Sequence, residues 1–288
     1  MRPNNLKTKI FLDSGDPEET REIIKLLGFL DGQTTNPTLI SKNPDAKRRL
    51  EKGEKFTKDE IISFYKSVVK DVASLIPNGS VSVEVYADKT TSYEQMFKQG
   101  KEMFSWIPNA HIKYLTSKQG LKAAEQSIRE GMRVNMTLCF SQEQAAAVYS
   151  ATKGARKGQI FVSPFVGRLD DRGENGMDLI ANIVRMYKKS DHHVEVLAAS
   201  IRSMDHFLYS LKLRSDIITA PFKILKEWGE KGMPIHPDFI YRSNLKPILF
   251  KTIELKKPWQ EYDVSHKLTD IGMEKFSSDW NYLLNSYY

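Results

Sequence analysis

Residues 111–123 read HIKYLTSKQGLKA and contain the repeating unit that decides the fold. A short apolar run, HIKYL, is followed by Thr116 and Gln119, which have the spacing of a capping box that starts a helix. The other candidate strands are KIFLD (9–13), QTTN (33–36), VSVEVYA (81–87), RVNMTLCF (133–140), QIFVSPF (159–165), VEVLAAS (194–200) and DIITA (216–220). Eight strands alternating with helices predict an α/β protein with a closed (β/α)8 TIM barrel.

A doubly wound open sheet is the alternative fold. No glycine-rich nucleotide-binding loop follows the first candidate strand, which weighs against it. After Gly232 the alternation stops, and residues 233–288 end in an amphipathic helix, LTDIGMEKFSSDWNYLL, at 268–284. Its apolar stripe is Met273, Phe276, Trp280 and Leu283. This helix suits either packing on the barrel or partial cover of its mouth. We predict one barrel domain over 1–288, with 233–288 as its C-terminal extension and a charged insertion at 43–57.

The composition excludes several classes of protein. Of the 288 residues, 40% are hydrophobic, 27% charged and 10% aromatic, which argues against a mostly disordered chain. No uninterrupted apolar run approaches the roughly 18 residues of a membrane span. A single cysteine, Cys139, leaves no intrachain disulfide and no cysteine cluster for a metal. The start, MRPNNLKTKIFLDSGD, lacks the features of a signal peptide, so we expect a cytoplasmic protein.

The chain carries a net charge of +7, with basic and acidic residues interspersed. This mixing favours a solvated surface over a nucleic-acid or membrane-binding face. Small anionic ligands such as phosphates remain compatible with the basic balance.

Polar residues recur where the inside of a barrel should be apolar. Side chains alternate across a strand, so Val81, Val83 and Val85 facing the helices leave Glu84 facing the barrel axis. The same alternation places Phe165 inward, together with Asp13, Asn36, Lys113, Asn135, Thr137, Ser163 and Ser200. Buried polar groups are unfavourable unless they pair or bind something, and these lie mostly at the carboxyl ends of the strands, where barrel active sites form.

An inward lysine accompanied by two carboxylates indicates a specific chemistry. Burial disfavours the charged form of a lysine, and a neutral amine can attack a carbonyl to form a Schiff base. Lys113 is therefore the candidate nucleophile, and Asp13 and Glu84 are the candidates for acid–base work.

Two arginines follow neighbouring strands. Arg168 and Arg202 each come shortly after an inward serine, Ser163 or Ser200. Guanidinium groups and hydroxyls at adjacent strand ends suit a phosphate group. For either arginine alone, a surface ion pair is the alternative.

Seven segments resemble, in order, the motifs of the transaldolase family. They are IFLDSGD (10–16), DGQTTNPTLISK (31–42), VSVEV (81–85), IKYLTSKQGLKA (112–123), VNMTLCFSQEQA (134–145), FVSPFVGRLDD (161–171) and VLAASIR (196–202). The resemblance runs from about residue 7 to 221 and resumes at LTDIGMEKFSSDW (268–280).

This resemblance implies a barrel with no metal and no organic cofactor, acting on sugar phosphates in the non-oxidative pentose phosphate pathway. A dihydroxyacetone unit would pass from sedoheptulose 7-phosphate or fructose 6-phosphate to glyceraldehyde 3-phosphate or erythrose 4-phosphate. Lys113 matches the Schiff-base lysine, Asp13 the residue that handles the sugar hydroxyl proton, and Glu84 and Thr137 the pair that holds the catalytic water. The remaining matches are Asn36, Asn135 and Ser163 near the sugar, and Arg168, Ser200 and Arg202 around the phosphate.

The sequence departs from the family pattern at Leu115 and Lys118, beside the lysine. The main alternative activity is that of a fructose 6-phosphate aldolase. Those family members tend to carry Tyr at the Phe165 position and Gln at the Glu84 position, so this chain favours transfer. A non-catalytic sugar-phosphate-binding barrel is the alternative outside enzymology. Each of these readings is compatible with a homo-oligomer.

Overall fold

The computed structural model describes residues 2–285. Eight parallel strands pair in chain order and close into a barrel. The strands, β1 to β8, are Lys9–Asp13, Gly32–Thr34, Ser80–Glu84, Ala110–Leu115, Val134–Cys139, Ile160–Pro164, Val194–Ala198 and Ile217–Ala220. Because β1 pairs with both β2 and β8, the sheet has no free edge. The predicted (β/α)8 barrel is confirmed, and the open sheet is excluded.

Helices connect the strands and surround them. Those within the described residues, α1 to α12, are Pro17–Leu27, Pro37–Ser41, Pro44–Glu51, Lys58–Leu75, Tyr93–Phe104, Lys118–Arg129, Gln142–Ala151, Val166–Asp170, Gly176–Tyr187, Met204–Lys212, Phe222–Glu230 and Lys267–Leu283. A capping box predicted at Thr116 is wrong, because Ser117 caps α6 while the Thr116 hydroxyl donates to the carbonyl of Thr137. In the part of the chain that is described, no helix is both long and apolar enough to cross a bilayer.

Five strands, β2, β3, β5, β6 and β7, end earlier than the sequence suggests. In β2 and β7 the difference moves a polar site residue out of the strand. β2 ends at Thr34, and Asn36 instead caps α2 by accepting a hydrogen bond from the Leu39 N–H at 2.9 Å. Pro37 explains this, since proline favours the first position of a helix. β7 ends at Ala198, and Ser200 lies beyond it with a backbone φ of 57°. Strand alternation was therefore the wrong basis for placing these two side chains, although both still reach the mouth of the barrel.

The amino end of the barrel is filled by side chains that pack on one another. His111 stacks on Phe161 with ring centroids 4.1 Å apart, and Phe11 meets Phe161 edge-on. Burial lowers the pKa of His111 to about 3, so the ring is neutral at physiological pH. Lys9 and Glu195 form an ion pair at 2.9 Å across the same end. A second cavity, of about 350 Å³, opens outward at this amino end and is lined by Lys9, His111 and Phe161 among others.

The charged insertion predicted at 43–57 contains α3 and leads into α4. The guanidinium of Arg49 lies 4.2 Å from the ring centroid of Phe56. The N–H of Phe56 donates to the carbonyl of Leu283 at 2.8 Å, and Phe56 forms an isolated bridge with Leu284. The insertion therefore holds the carboxyl end of α12.

Helix α12 lies across the carboxyl end of the barrel and packs on α2 and β5. Gly272 allows the close approach to β5, since a Cβ at this position would lie 2.6 Å from Cδ1 of Leu138. Thr269 donates a hydrogen bond of 2.9 Å to the carbonyl of Leu138. The helix both packs on the barrel and covers part of its mouth, because Phe276 forms part of the cavity wall there.

Candidate active site

A cavity of about 200 Å³ opens at the carboxyl ends of the strands. Its lining residues are Asp13, Thr34, Asn36, Thr38, Leu39, Lys113, Thr137, Ser163, Phe165, Arg168, Leu197, Ala199, Ser200, Arg202, Thr219 and Phe276. All of the site residues predicted from the sequence are in this set except Glu84 and Asn135. Those two lie deeper, where they contact residues that do line the cavity.

Lys113 lies on the floor of this cavity, with 3% of its surface exposed. The register of β3, β4 and β5 places it beside Glu84 on one side and Asn135 on the other. Its Nζ is 2.7 Å from Oε2 of Glu84 and donates a 2.8 Å hydrogen bond to the carbonyl oxygen of Thr35. The amine is thus held between a proton acceptor and a fixed carbonyl, facing the cavity.

Glu84 is 3% exposed, and burial raises the pKa of its carboxyl while the charge of Lys113 opposes the rise. A carboxyl whose pKa is raised from its ordinary value is suited to exchanging protons with a neighbour. Thr137, one strand beyond Lys113, is fully buried. Its hydroxyl has no hydrogen-bond partner among residues 2–285. A buried, unpaired hydroxyl at a cavity wall is available to bind water or a ligand.

Asp13 lies at the end of β1, on the cavity wall. Its Oδ1 accepts a 2.6 Å hydrogen bond from the hydroxyl of Thr34, its register neighbour on β2. The Thr34 and Thr219 hydroxyls are also 2.6 Å apart, and Thr219 donates because the Thr34 proton is engaged with Asp13. Burial raises the pKa of Asp13, and both the Thr34 hydrogen bond and the charge of Lys113 oppose the rise. This carboxyl is oriented by threonines and suited to proton transfer.

A buried polar chain supports the floor of the site. The hydroxyl of Ser163 donates to Oδ1 of Asn135 at 2.6 Å, and Nδ2 of Asn135 donates to the hydroxyl of Ser82 at 3.1 Å. All three residues are at most 2% exposed. Because each amide and hydroxyl has a partner, the orientations of Asn135 and Ser163 are fixed.

Arg202 reaches the cavity over the helix that follows β6. Its guanidinium makes two hydrogen bonds to the carboxylate of Asp171, one of them 2.7 Å long. Its side chain passes directly over Gly167, where a Cβ would lie 2.5 Å from Cδ of Arg202. The absence of a side chain at residue 167 therefore sets the path of this arginine.

Arg168 lies beside Arg202 without a salt bridge of its own in the described part of the chain. Its guanidinium is 5.8 Å from the ring centroid of Phe276 on α12. Burial, followed by the charge of Arg202, lowers the pKa of Arg168. Two neighbouring guanidinium groups that repel each other, with the Ser200 hydroxyl at the same end, form a region that favours an anion.

Sequence reasoning missed Thr35, whose carbonyl accepts from Lys113, and Phe276, which lines the cavity. The apolar stripe of the C-terminal helix was a signal for Phe276, but nothing in the stripe distinguishes a cavity wall from a packing contact. The family departures Leu115 and Lys118 do not line the cavity: Leu115 is buried in β4, and Lys118 is exposed at the start of α6. Within residues 2–285, no group of His, Cys, Asp or Glu side chains is arranged to hold a metal ion.

Comparison with known proteins agrees with the motifs. The family model described as Transaldolase/Fructose-6-phosphate aldolase matches residues 10–287. A probable transaldolase from Dehalococcoides mccartyi is 36% identical over 272 residues, which cover 94% of this chain and 97% of that protein. Probable transaldolases from Roseiflexus sp. and Brucella ovis are 35% and 36% identical over the same share of this chain and 96% of their own lengths. The predicted family resemblance is confirmed.

Among solved structures, the chain is similar to 3-hexulose-6-phosphate synthase from Salmonella typhimurium. The TM-score is 0.50 at 12% identity, over 78% of this chain and 97% of that one. At this identity the likeness concerns the barrel fold alone.

Proposed function

Because the chain belongs to the transaldolase/fructose-6-phosphate aldolase family, we propose that it is a transaldolase that transfers a dihydroxyacetone unit through a Schiff base on Lys113. The donor is sedoheptulose 7-phosphate or fructose 6-phosphate. The acceptor is glyceraldehyde 3-phosphate or erythrose 4-phosphate. The observation that carries this proposal is a buried lysine amine, 2.7 Å from a buried carboxylate, at the floor of a cavity with two arginines at its rim.

Binding of the donor uses both ends of the cavity. The phosphate is held by Arg168, Arg202 and the Ser200 hydroxyl, which brings the ketone toward Lys113. Asn36 engages its Oδ1 in capping α2, so its amide N–H groups are available to sugar oxygens. Holding the phosphate and the reacting carbon together makes attack by the amine effectively intramolecular.

The first chemical step forms the imine. Lys113 passes a proton to Glu84, and the neutral amine attacks the ketone carbon to give a carbinolamine. The carbinolamine loses its hydroxyl as water, and the proton for this loss returns from Glu84 by way of a water molecule held against the Thr137 hydroxyl. The product is a protonated imine, which attracts electrons from the adjacent carbon–carbon bond.

The second step cleaves that bond. Asp13 accepts the proton of the hydroxyl on the fourth carbon of the sugar, and the bond between the third and fourth carbons breaks. Its electron pair moves into the imine to form an enamine, and the aldose phosphate leaves. The enamine then attacks the aldehyde of the acceptor, Asp13 returns the proton, and hydrolysis of the new imine frees the product and Lys113.

With these substrates the enzyme would act in the non-oxidative pentose phosphate pathway, and we propose that it does so in the cytoplasm. A fructose 6-phosphate aldolase is the alternative within the family. Phe165 and Glu84 favour transfer over release, since aldolase members tend to carry a tyrosine and a glutamine at these positions. Product analysis separates the two activities. Accumulation of free dihydroxyacetone from fructose 6-phosphate alone, over many turnovers, would contradict the transferase.

The Schiff base itself is tested by borohydride reduction in the presence of fructose 6-phosphate, followed by mass spectrometry of peptides. We expect a dihydroxyacetone adduct on Lys113 and none on exposed lysines such as Lys118. Absence of an adduct from Lys113 would instead support a barrel that binds sugar phosphates without reacting with them.

A further inference from the structure

The ladder between β2 and β3 loses one hydrogen bond beside the candidate nucleophile. In a parallel pair, a residue donates its N–H to one residue of the neighbouring strand and accepts, at its carbonyl, from the residue two further along. Thr35 follows β2 and lies opposite Val83, because Thr34 pairs with Ser82. Its N–H donates to the carbonyl of Ser82 at 3.1 Å, as expected. The regular ladder would then bring the Glu84 N–H to the Thr35 carbonyl.

The hydroxyl of Tyr65 takes that place. Tyr65 projects from α4 between the two strands and is fully buried. Its Oη accepts a 2.9 Å hydrogen bond from the N–H of Glu84. The Thr35 carbonyl, which the ladder would have used, instead accepts the 2.8 Å hydrogen bond from Nζ of Lys113.

Each hydroxyl of Thr35 and Tyr65 carries a single proton, and this determines which of the two donates to the other. The Thr35 hydroxyl donates its single proton to the carbonyl of Ser82 at 2.7 Å. The 2.6 Å contact between Thr35 Oγ1 and Tyr65 Oη must therefore use the tyrosine proton. The tyrosine hydroxyl donates to Thr35 and accepts from Glu84, so both of its hydrogen-bonding directions are engaged.

The ring of Tyr65 is held independently of its hydroxyl. It packs edge-on against Trp106 at a centroid distance of 5.9 Å and against Trp280 of α12 at 5.8 Å. Removing only the hydroxyl would therefore leave the ring in place. It would allow the Glu84 N–H to turn to the Thr35 carbonyl and would withdraw that carbonyl from Lys113.

We propose that Tyr65 is a positioning residue for the reaction, whose hydroxyl takes the ladder hydrogen bond of Glu84 and so frees the carbonyl of Thr35 to hold the amine of Lys113. The inference rests on the proposed function, because it assigns Tyr65 a role through the proposed nucleophile. It concerns formation of the imine and not binding of the phosphate, which lies at the other end of the cavity.

The test is Tyr65→Phe, with Tyr114→Phe as the matched control. Tyr114 is also fully buried and lies next to Lys113 on β4. Its hydroxyl makes a 3.0 Å hydrogen bond to Ser127, outside the site. Transfer kinetics, the single-turnover rate of the borohydride-trapped Lys113 adduct and the melting temperature are measured for both. We expect Tyr65→Phe to lower kcat and the trapping rate by about 10-fold to 100-fold, with KM changed less than about twofold. Tyr114→Phe should keep kcat within about twofold, with a similar fall in melting temperature.

Thr35→Val is the second variant, used also if Tyr65→Phe does not fold. It removes the acceptor of the tyrosine proton but keeps the backbone carbonyl, and we expect it to slow trapping in the same direction. The role of Tyr65 is overturned if every variant of these two that folds keeps the parent's kcat and trapping rate. It is also overturned if the loss of activity is no larger than that of Tyr114→Phe. Neither result would contradict the proposed transaldolase activity. If the parent protein forms no Lys113 adduct, the proposed function fails, and the inference fails with it.

Discussion

The amine of Lys113 and the carboxylate of Glu84 lie 2.7 Å apart on adjacent strands, with 4% and 2% of their side chains exposed. Removing one member of such a buried pair leaves the other without its partner. The pairing therefore links the chemistry of the site to the stability of the barrel, and variants must be assessed on both.

Lys113→Ala is expected to lower the rate of transfer by a factor of about 10⁴ or more, because it removes the nucleophile. The barrel should remain folded, since the buried Glu84 left behind can take up a proton. Steady-state assays and circular dichroism check the two statements. Lys118→Ala, at an exposed position close by, should be as active as the parent. Substantial activity in Lys113→Ala would mean that the wrong lysine has been chosen.

Asp13→Asn is expected to lower kcat by about 10²-fold to 10⁴-fold, the usual contribution of a general acid–base group. It should also change the dependence of stability on pH. Burial raises the pKa of Asp13, so the folded protein binds this proton more tightly than the unfolded chain does. The stabilisation from this group is therefore complete below the ordinary carboxyl range and is lost as the pH rises through the raised pKa.

The asparagine variant cannot ionise and should be more stable than the parent at neutral pH, by about 1 kcal/mol. The advantage should shrink as the pH falls through the raised pKa and disappear below about 3, where the parent carboxyl is protonated in both the folded and the unfolded state. Thermal melts of both proteins between these limits measure the difference. A difference independent of pH would show that the carboxyl of Asp13 is not destabilised by burial.

Arg202→Ala is expected to raise KM for phosphorylated substrates by about 10-fold to 100-fold, the effect of losing one or two hydrogen bonds to a charged group. kcat should change much less, because the reacting atoms lie at the other end of the cavity. Inorganic phosphate should compete with substrate in the parent and only weakly in the variant. If KM is unchanged, the phosphate does not bind at this arginine.

Gly167→Ala should reproduce much of the rise in KM although Arg202 itself is not substituted. The new methyl group would lie 2.5 Å from Cδ of Arg202, so the side chain must leave its path. We expect a higher KM and a loss of about 1–3 kcal/mol of stability from overpacking. Kinetics of the double variant Gly167→Ala/Arg202→Ala provide the check. If the two changes multiply fully in KM, Gly167 does not act through Arg202.

The barrel could be predicted from local patterns, whereas parts of the site could not. Alternation within VSVEVYA is sufficient to turn Glu84 inward, because it depends only on the period of a strand. The hydrogen bonds of Tyr65 depend on the register of β2 against β3 and on the docking of α4. None of these is encoded by a pattern within one segment. The sequence pattern of a tyrosine on the apolar stripe of a helix is the same whether its hydroxyl is exposed to solvent or hydrogen-bonded to a strand.

The errors at strand ends have a similar cause. Alternation with Thr34 predicts that Asn36 belongs to a strand, although Pro37 beside it starts a helix. Ser200 follows a strand whose own alternation directs Leu197 and Ala199 to the cavity. At Ser200 the backbone is left-handed, so its side chain no longer follows the alternation of the strand. Alternation predicts a side chain's direction only while the strand continues.

Cys139, the only cysteine of the chain, is fully buried in β5, and burial raises the pKa of its thiol to about 12. An ordinary exposed thiol has a pKa of about 8.5 and reacts with maleimides at neutral pH, so Cys139 is protected from such reagents. Ser278→Cys, at an exposed position on α12 two residues after Phe276, would therefore supply the one accessible thiol. A fluorescent dye attached there would report on the cavity wall during turnover, without prior removal of a native cysteine.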